Sequence, residues 1–450
     1  MKVHTIRYSL LAILLMALLL SGACTSVSPL QAGTQRISIA NNGAQAELRS
    51  KQPSISADGR YVAFTSDASN LVKDDTNGVS DVFVRDLVKN TTTRVSVSSK
   101  GTEGNKSSYW PFISADGSYV TFTSDADNLV ENDKNGAGDV YISDVHNGVT
   151  ELVSIGPDGS AGNDLSFWSS VSEDGRYVVY MSNATNLVPS DINDSWDVFM
   201  RDRQSGVTSL VSLGYDGSQA NSQSEYPVIS SDGQSIAYAS DATNIVSDDT
   251  NGYRDVFEYD HKSGKTIRVS LATDGTQTNE GTQAFVISIS ADGRYVAFPS
   301  LATNLVPGDS NHAWDIFVHD RNKRETERVS VASDGSQADA GSYGVSISAD
   351  GRYVLYGSNA TNLVADDTNG VMDTFLYDRQ TGKTERISIA TDGTQGDDSS
   401  GLMLIAPVGI DFAYGTLLSS DGSRAVYMSN ATNLVTDDTN TAQDIFIFVK

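Results

Sequence analysis

The sequence of 450 residues has one cysteine, Cys24, and only five histidines. A lone cysteine excludes a disulfide within the folded part of the chain. There is no Gly-x-Ser-x-Gly elbow, no His-Glu-x-x-His pair and no phosphate-binding loop. The histidines do not make up the loss: His4 is near the start, His146, His261 and His319 fall on or beside one kind of strand, and His312 stands alone in a long loop. No Ser/His/Asp constellation can be assembled from them. Basic residues are also scarce, 31 Lys and Arg against 57 Asp and Glu, for a net charge of −26. That balance argues against nucleic acid and against a basic surface for anionic lipid, and suits a well-solvated protein or one that holds cations. Helical periodicity is missing from the main body of the chain. The apolar run from Tyr8 to Leu20 is too short to span a bilayer as a helix.

What is present is a repeat. Ser56-Ala57-Asp58-Gly59-Arg60-Tyr61-Val62-Ala63-Phe64-Thr65-Ser66 is followed by an Asp/Asn-rich stretch and then by Asp81-Val82-Phe83-Val84. The Asp-Gly pair returns at Asp116, Asp174, Asp232, Asp292, Asp350 and Asp421, spaced by 58, 58, 58, 60, 58 and 71 residues, so there are seven copies. A fixed period of this size signals a repeat architecture. Within one copy, Pro111–Ser114, Tyr119–Thr123, Asp139–Ile142 and Glu151–Ile155 read as four strands. Asp116-Gly117 and Asn147-Gly148 supply the tight turns that antiparallel neighbours need. Four antiparallel strands per unit describe a propeller blade. The last copy ends after its third strand, Asp444–Phe448, whereas an orphan strand, Gln35–Ile39, precedes the first copy and matches the fourth-strand sequence Arg386-Ile387-Ser388-Ile389. The expectation is an all-β, seven-bladed β-propeller closed by the N-terminal strand completing the last blade.

The Ser-x-Asp-Gly turn, the Tyr-Val-Ala-Phe-Thr-Ser strand and the Asp-Val-Phe-Val-x-Asp strand resemble the WD40-like repeats of TolB-type β-propellers, over roughly Thr34 to Lys450. The resemblance implies a non-enzymatic binding or scaffold protein of the bacterial cell envelope, meeting a protein or glycan partner. The alternative is a propeller hydrolase or lyase acting on polysaccharide or peptide. The chain departs from TolB in having seven blades rather than six and in lacking an extra domain. Its second-to-third connections are also longer.

The first residues carry Lys2 and Arg7, then the apolar stretch, then Ser21-Gly22-Ala23-Cys24. This resembles a bacterial lipobox, with the usual Leu displaced by one position. The expected division is a signal peptide over 1–23, lipidation at Cys24, a tether over 24–33 and one propeller over 34–450. Such a protein would be extracytoplasmic, monomeric and held to the membrane by its lipid alone. Secretion without an anchor is the alternative.

Short turns join strands one to two and three to four, and long connections share the other face, where function is expected. Each second-to-third loop carries Asp-x-Asn-x-x-x-Asp. The sets singled out are Asp75, Asn77 and Asp81; Asp133, Asn135 and Asp139, with Glu131; Asp249, Asn251 and Asp255; and Asp367, Asn369 and Asp373. Alternate oxygens on a turned loop suit calcium, and the segment resembles the calcium loops of integrin-type propellers. No other cofactor is indicated. The competing reading is that Asp and Asn make local turns and need no metal. At the entrance to the innermost strands, Trp110, Trp168, Tyr226 and Tyr343 either line the channel mouth for a ligand or pack between blades. An apolar insertion near 400–413, with Leu404 and Phe412, either plugs the channel or meets a partner.

Overall fold

The structure is a computed structural model that describes residues 31–189, 191–282, 286–401 and 417–450, with the backbone alone of 403–406 and 409–412. It contains seven four-stranded antiparallel sheets arranged as blades. Blade 1 consists of Ser50–Ile55, Tyr61–Ser66, Asp81–Asp86 and Thr91–Arg94. Blades 2 to 6 repeat it in chain order. The second and third strands are almost wholly buried, because both faces of every blade are covered by the next. Their centres are aromatic pairs at a fixed register, such as Phe64 on Phe83 and Tyr356 on Phe375, with ring centroids 5.8 and 5.9 Å apart.

Blade 7 is built from both ends of the chain. Its strands are Ser400–Gly401, Arg424–Ser429, Asp444–Val449 and, outermost, Gly33–Arg36. Thr34 lies opposite Phe448 and Arg36 opposite Phe446. The closing strand therefore begins two residues before Gln35, the expected start. Ser38 has left the ladder, and its Oγ donates to Asp444 Oδ1 at 2.5 Å. The same shift affects every fourth strand. Val149–Leu152 takes the place of the expected Glu151–Ile155, since Ser154 turns its hydroxyl to Asp139 at 2.6 Å. Closure of the ring, which removes its open edges, also uses contacts between blades 7 and 1. Ser50 N–H donates to Gln443 O at 2.7 Å, and Arg424 Nη1 donates to Gly59 O at 2.8 Å.

The Asp-Gly turn couples neighbouring blades. The ring of Tyr295, at the start of a second strand, lies so close to Gly351 of the next blade that a Cβ there would sit 2.1 Å from it. With φ at +74° as well, the position admits only glycine. Arg379 covers the same ring at 4.3 Å. His146 and His261 perform this role on Tyr61 and Tyr177, with centroids 6.0 and 5.1 Å apart. These two histidines are thus interblade packing groups, on the face with the short turns.

The insertion forms a separate hairpin, Met403–Ala406 with Gly409–Phe412, in which Leu404 is opposite Asp411 and Met403 opposite Phe412. Its second strand lies beside the first strand of blade 1. The side chains of Leu404 and Phe412 are outside the described residues, as is Cys24.

Candidate functional site

The Asp-x-Asn-x-x-x-Asp loops are organised by side chains of the fourth strand. In blade 6, Arg386 Nη1 lies 3.1 Å from Asp367 Oδ1 and 3.2 Å from Asp373 Oδ2. Ser388 Oγ donates to Asp373 Oδ1 at 2.5 Å and accepts from Thr374 N–H at 3.1 Å. Asn369 closes the loop on itself, accepting from Val371 N–H at 3.3 Å. Its amide donates to Asp373 Oδ2 at 2.9 Å and to Gly396 O, on the connection into the next blade, at 3.2 Å. Blade 1 repeats the pattern with Asp75, Asn77, Asp81, Arg94 and Ser96. Blade 4 does so with Asp249, Asn251, Asp255, Arg268 and Ser270. In these blades a guanidinium stands between the two carboxylates, where a cation was one of the two expectations. The loops act as hydrogen-bonded struts between blades.

Among the described residues, no group of three or more His, Cys, Asp or Glu side chains is gathered to hold a metal ion. Glu131 does not complete the set around Asp133. Its side chain is 94% exposed and faces Lys100 Nζ at 3.5 Å. The glycine that several loops carry after Asn, such as Gly78 or Gly370, serves the backbone, with φ at +69° and +67°. Asp194, His312 and Thr441 hold the same left-handed turn without glycine, at φ of 50°, 53° and 53°.

Blade 2 lacks the arginine, Leu152 being in its place. Burial pushes Asp139 up to about 7 and raises Asp133 as well. In blade 3, where Leu210 stands, burial pushes Asp197 up to about 6.

The aromatic residues occupy a different place on the long-loop face. The innermost strands of blades 1 to 4 and 6 each contain a bulge just inside the mouth of the ring. The bulged residue is left-handed: Gln52 at φ 57°, Trp110 at 54°, Trp168 at 50°, Tyr226 at 58° and Gly344 at 60°. Holding bulky residues there costs about 1–3 kcal/mol each. Such bulges re-aim side chains and collect beside functional sites. Tyr343 precedes the bulged position and pairs with Gly357, so it belongs with Tyr109 and Phe167 rather than with Trp110, Trp168 and Tyr226. In blade 5 the equivalent residue is Val286, which is buried, and that of blade 7 lies outside the described residues.

The rings form a continuous crescent across blades 2 to 4. Trp110 touches Tyr109, Phe167 and Trp168 with centroids 4.7, 5.4 and 5.2 Å apart. Trp168 continues to Tyr226 at 4.1 Å, and Phe167 to Trp196 at 4.8 Å. Tyr109, Trp110, Phe167 and Trp196 keep partly exposed faces, over a floor of buried Trp168 and Tyr226. Trp168 and Tyr226 thus pack between blades, whereas Trp110 keeps a partly exposed ring. Polar groups border the crescent. Tyr109 donates its hydroxyl to Asp125 at 2.8 Å, and burial beside that carboxylate raises its phenol, so it stays a donor. Arg254 lies 5.3 Å above the Tyr226 ring and bridges Glu225 and Asp241 at 2.5 and 3.3 Å. Gln52 Oε1 accepts from Trp110 N–H at 3.1 Å and from Thr65 Oγ1 at 2.9 Å.

Trp196, Arg254 and Gln52 were not singled out from the sequence. Trp196 and Arg254 sit directly before the last Asp of the loop motif. That position has its carbonyl bound by the next blade's first strand, as in Ser224 N–H to Trp196 O at 2.7 Å. Its side chain is thereby placed at the mouth. The position holds Ser80, Gly138, Trp196, Arg254, Trp314, Met372 and Gln443 in the seven blades, and this variation within a constant frame was the available signal.

The chain is thus a seven-bladed β-propeller whose repeats resemble those of TolB-type propellers. No family model matches it, and no curated protein matches it in sequence. Its fold is similar to that of oligogalacturonate lyase from Vibrio parahaemolyticus (10% identity, 93% of this chain and 97% of that chain, TM-score 0.54). It is also similar to an oligogalacturonate lyase in complex with manganese (12%, 94% and 96%, TM-score 0.52). TolB from Acinetobacter baumannii aligns with 14% identity over 74% of this chain and 64% of that one, with a TM-score of 0.41. The chain therefore spans less than two thirds of that TolB. These likenesses speak to the fold alone.

Proposed function

We propose that this is a non-enzymatic, extracytoplasmic binding propeller of the bacterial cell envelope, TolB-like, which holds a protein or glycan partner at its long-loop face. The observation that carries the reading is the crescent of aromatic rings, three of them kept in a left-handed backbone at the ring mouth. A fold that needed only interblade packing would meet it with Gly344-type bulges at no strain. Flat apolar faces edged by Tyr109–Asp125 and Arg254–Glu225 suit a ligand with both apolar faces and hydrogen-bonding edges. The acidic surface, the apolar stretch before Cys24 and the repeat pattern support a place outside the cytoplasm, anchored through Cys24, as a monomer that meets the membrane by its lipid alone. The carboxylates that border the crescent are engaged by Tyr109 and Arg254, an arrangement that holds its polar edge in place.

The test is co-sedimentation with isolated cell-wall glycan and, separately, cross-linking to purified envelope proteins, each with wild type and Trp110→Ala. Loss of a stacked ring at the centre of an interface is worth about a tenfold or greater fall in affinity. Binding that ignores the substitution refutes the assignment of the face. Shortening of the glycan during the assay would favour the lyase or hydrolase alternative.

A further inference from the structure

Blade 2 differs from its neighbours at one buried place. Leu152 stands where blades 1, 4, 5, 6 and 7 have Arg94, Arg268, Arg328, Arg386 and Arg36. Ala161 stands where the other six have Gln or Glu. Both carboxylates of the motif are nevertheless retained, Asp133 at 3% exposure and Asp139 at 0%. None of the described ion pairs includes either of them: Lys106 pairs with Asp127 at 3.6 Å and Lys100 with Glu131 at 3.5 Å, and Lys134, on the wall of the adjoining cavity, is exposed and is in no described ion pair with either. Blade 3 has also lost its arginine, but there Gln219 Nε2 donates to Asp191 Oδ1 at 3.0 Å.

The oxygens around this place are specific to blade 2. Tyr141 replaces the phenylalanine of the other third strands and donates its hydroxyl to Asp133 Oδ2. It also comes within 3.3 Å of Ala126 O. Asp139 accepts from Ser154 Oγ at 2.6 Å and from Asn135 Nδ2 at 2.5 Å. Asp133 Oδ1 is buried and has no hydrogen-bond partner. A cavity of about 870 Å³, lined by Ser98, Lys100, Asn128, Leu129, Asp133 and Gly136, connects Asp133 with the surface.

Two buried carboxylates without a counter-charge are costly, and in five blades the counter-charge is a guanidinium touching both. We propose that blade 2 holds a divalent cation of the calcium class between Asp133 and Asp139, in the place those blades give to arginine. Two carboxylates neutralise it. The Tyr141 hydroxyl, the Ala126 carbonyl and water from the cavity complete an all-oxygen set, irregular enough to favour calcium over magnesium. The other loops, with their own internal cations or amides, take none.

The test uses the full chain after chelator treatment, titrated with calcium chloride or magnesium chloride in a calorimeter and melted with and without the ion. The expected result is one calcium per chain and a rise in melting temperature of about 3 °C at a hundred times Kd, with a smaller response to magnesium. Leu152→Arg should abolish the heat of calcium binding and raise the melting temperature in its absence. Asp133→Asn, a near-isosteric change, should also abolish binding and covers the case in which the arginine variant fails to fold. No heat and no shift up to about 10 mM calcium, the range of weak extracellular sites, overturns the proposal. So does a calcium response that survives in both variants, or a melting temperature that ignores calcium and rises only as pH falls, which would make a proton the counter-charge.

Discussion

Replacing Arg386 by Leu gives blade 6 the residue that blades 2 and 3 have at this place, Leu152 and Leu210. Arg386 is 9% exposed and faces Asp367 and Asp373, at 4% and 0%. Its removal leaves two buried carboxylates with no cation, held by Ser388, Asn369 and backbone groups, beside Gln395, whose amide donates to Asp366 O rather than to either of them. Breaking a buried pair by deleting one partner costs about 3–5 kcal/mol, most of it the isolated charge left behind. With a specific unfolding entropy of about 2.1 cal/mol/K per residue, a ring of roughly 420 residues loses about 1 °C per kcal/mol, so the melting temperature should fall by about 3–5 °C. Urea denaturation followed by circular dichroism at pH 7.5 gives the loss directly. The decisive comparison is the double variant Arg386→Leu with Asp367→Asn. Deleting one of the two stranded charges should recover much of the deficit, so the two changes should be strongly non-additive. The deficit of the single variant should also shrink below about pH 5, where carboxylates take protons. A loss under about 1 kcal/mol, or strict additivity, would refute the view that the arginine is the internal cation of these loops.

Three further outcomes follow from the same geometry. Thr441, exposed and left-handed where other blades have glycine, should yield about 1 kcal/mol of stability on Thr441→Gly, read as a higher urea midpoint. His319 is buried, with Nδ1 2.9 Å from Thr326 Oγ1, and burial pulls it down to about 4 from an ordinary 6.5. Because the unfolded chain then takes the proton first, this residue makes stability fall as pH drops from 6.5 toward 4, by on the order of 3 kcal/mol. His319→Tyr, the residue that blades 4 and 6 use as Tyr259 and Tyr377, should flatten that slope, as comparison of urea midpoints at pH 7 and 4.5 will show. Cys24→Ala should move the protein from the membrane to the soluble fraction on fractionation, and retention of mature protein in the membrane would count against a lipid anchor.

The fold was legible because each blade is specified locally. Asp-Gly turns, period-two strands and a constant spacing repeat seven times, and the orphan Arg36-Ile37-Ser38 betrays the closure through its likeness to Arg386-Ile387-Ser388. The loop chemistry was less legible. Asp75 and Arg94 are 19 residues apart, and only the register that sets Phe83 opposite Arg94 reveals that the guanidinium returns to the loop. Read without that register, the same acids look like free cation ligands. The crescent was half visible. Trp110 and Trp168 stand out as aromatic, but nothing local shows that a bulge turns them left-handed, or that Trp196 arrives beside Phe167 from another strand. Glu131 misled because proximity in sequence does not decide which way an exposed side chain faces.

The assignment of the crescent as the binding face can be tested by tryptophan emission. Three of the four tryptophans, Trp110, Trp168 and Trp196, lie in it, and the fourth is Trp314. In a Trp314→Phe background, titration with the glycan or envelope protein that co-sediments or cross-links should change the emission saturably, with the same midpoint as binding. Trp110→Ala should weaken both together by about tenfold. Saturable binding with unchanged emission, and with affinity indifferent to Trp110, would place the partner elsewhere on the propeller and contradict the account.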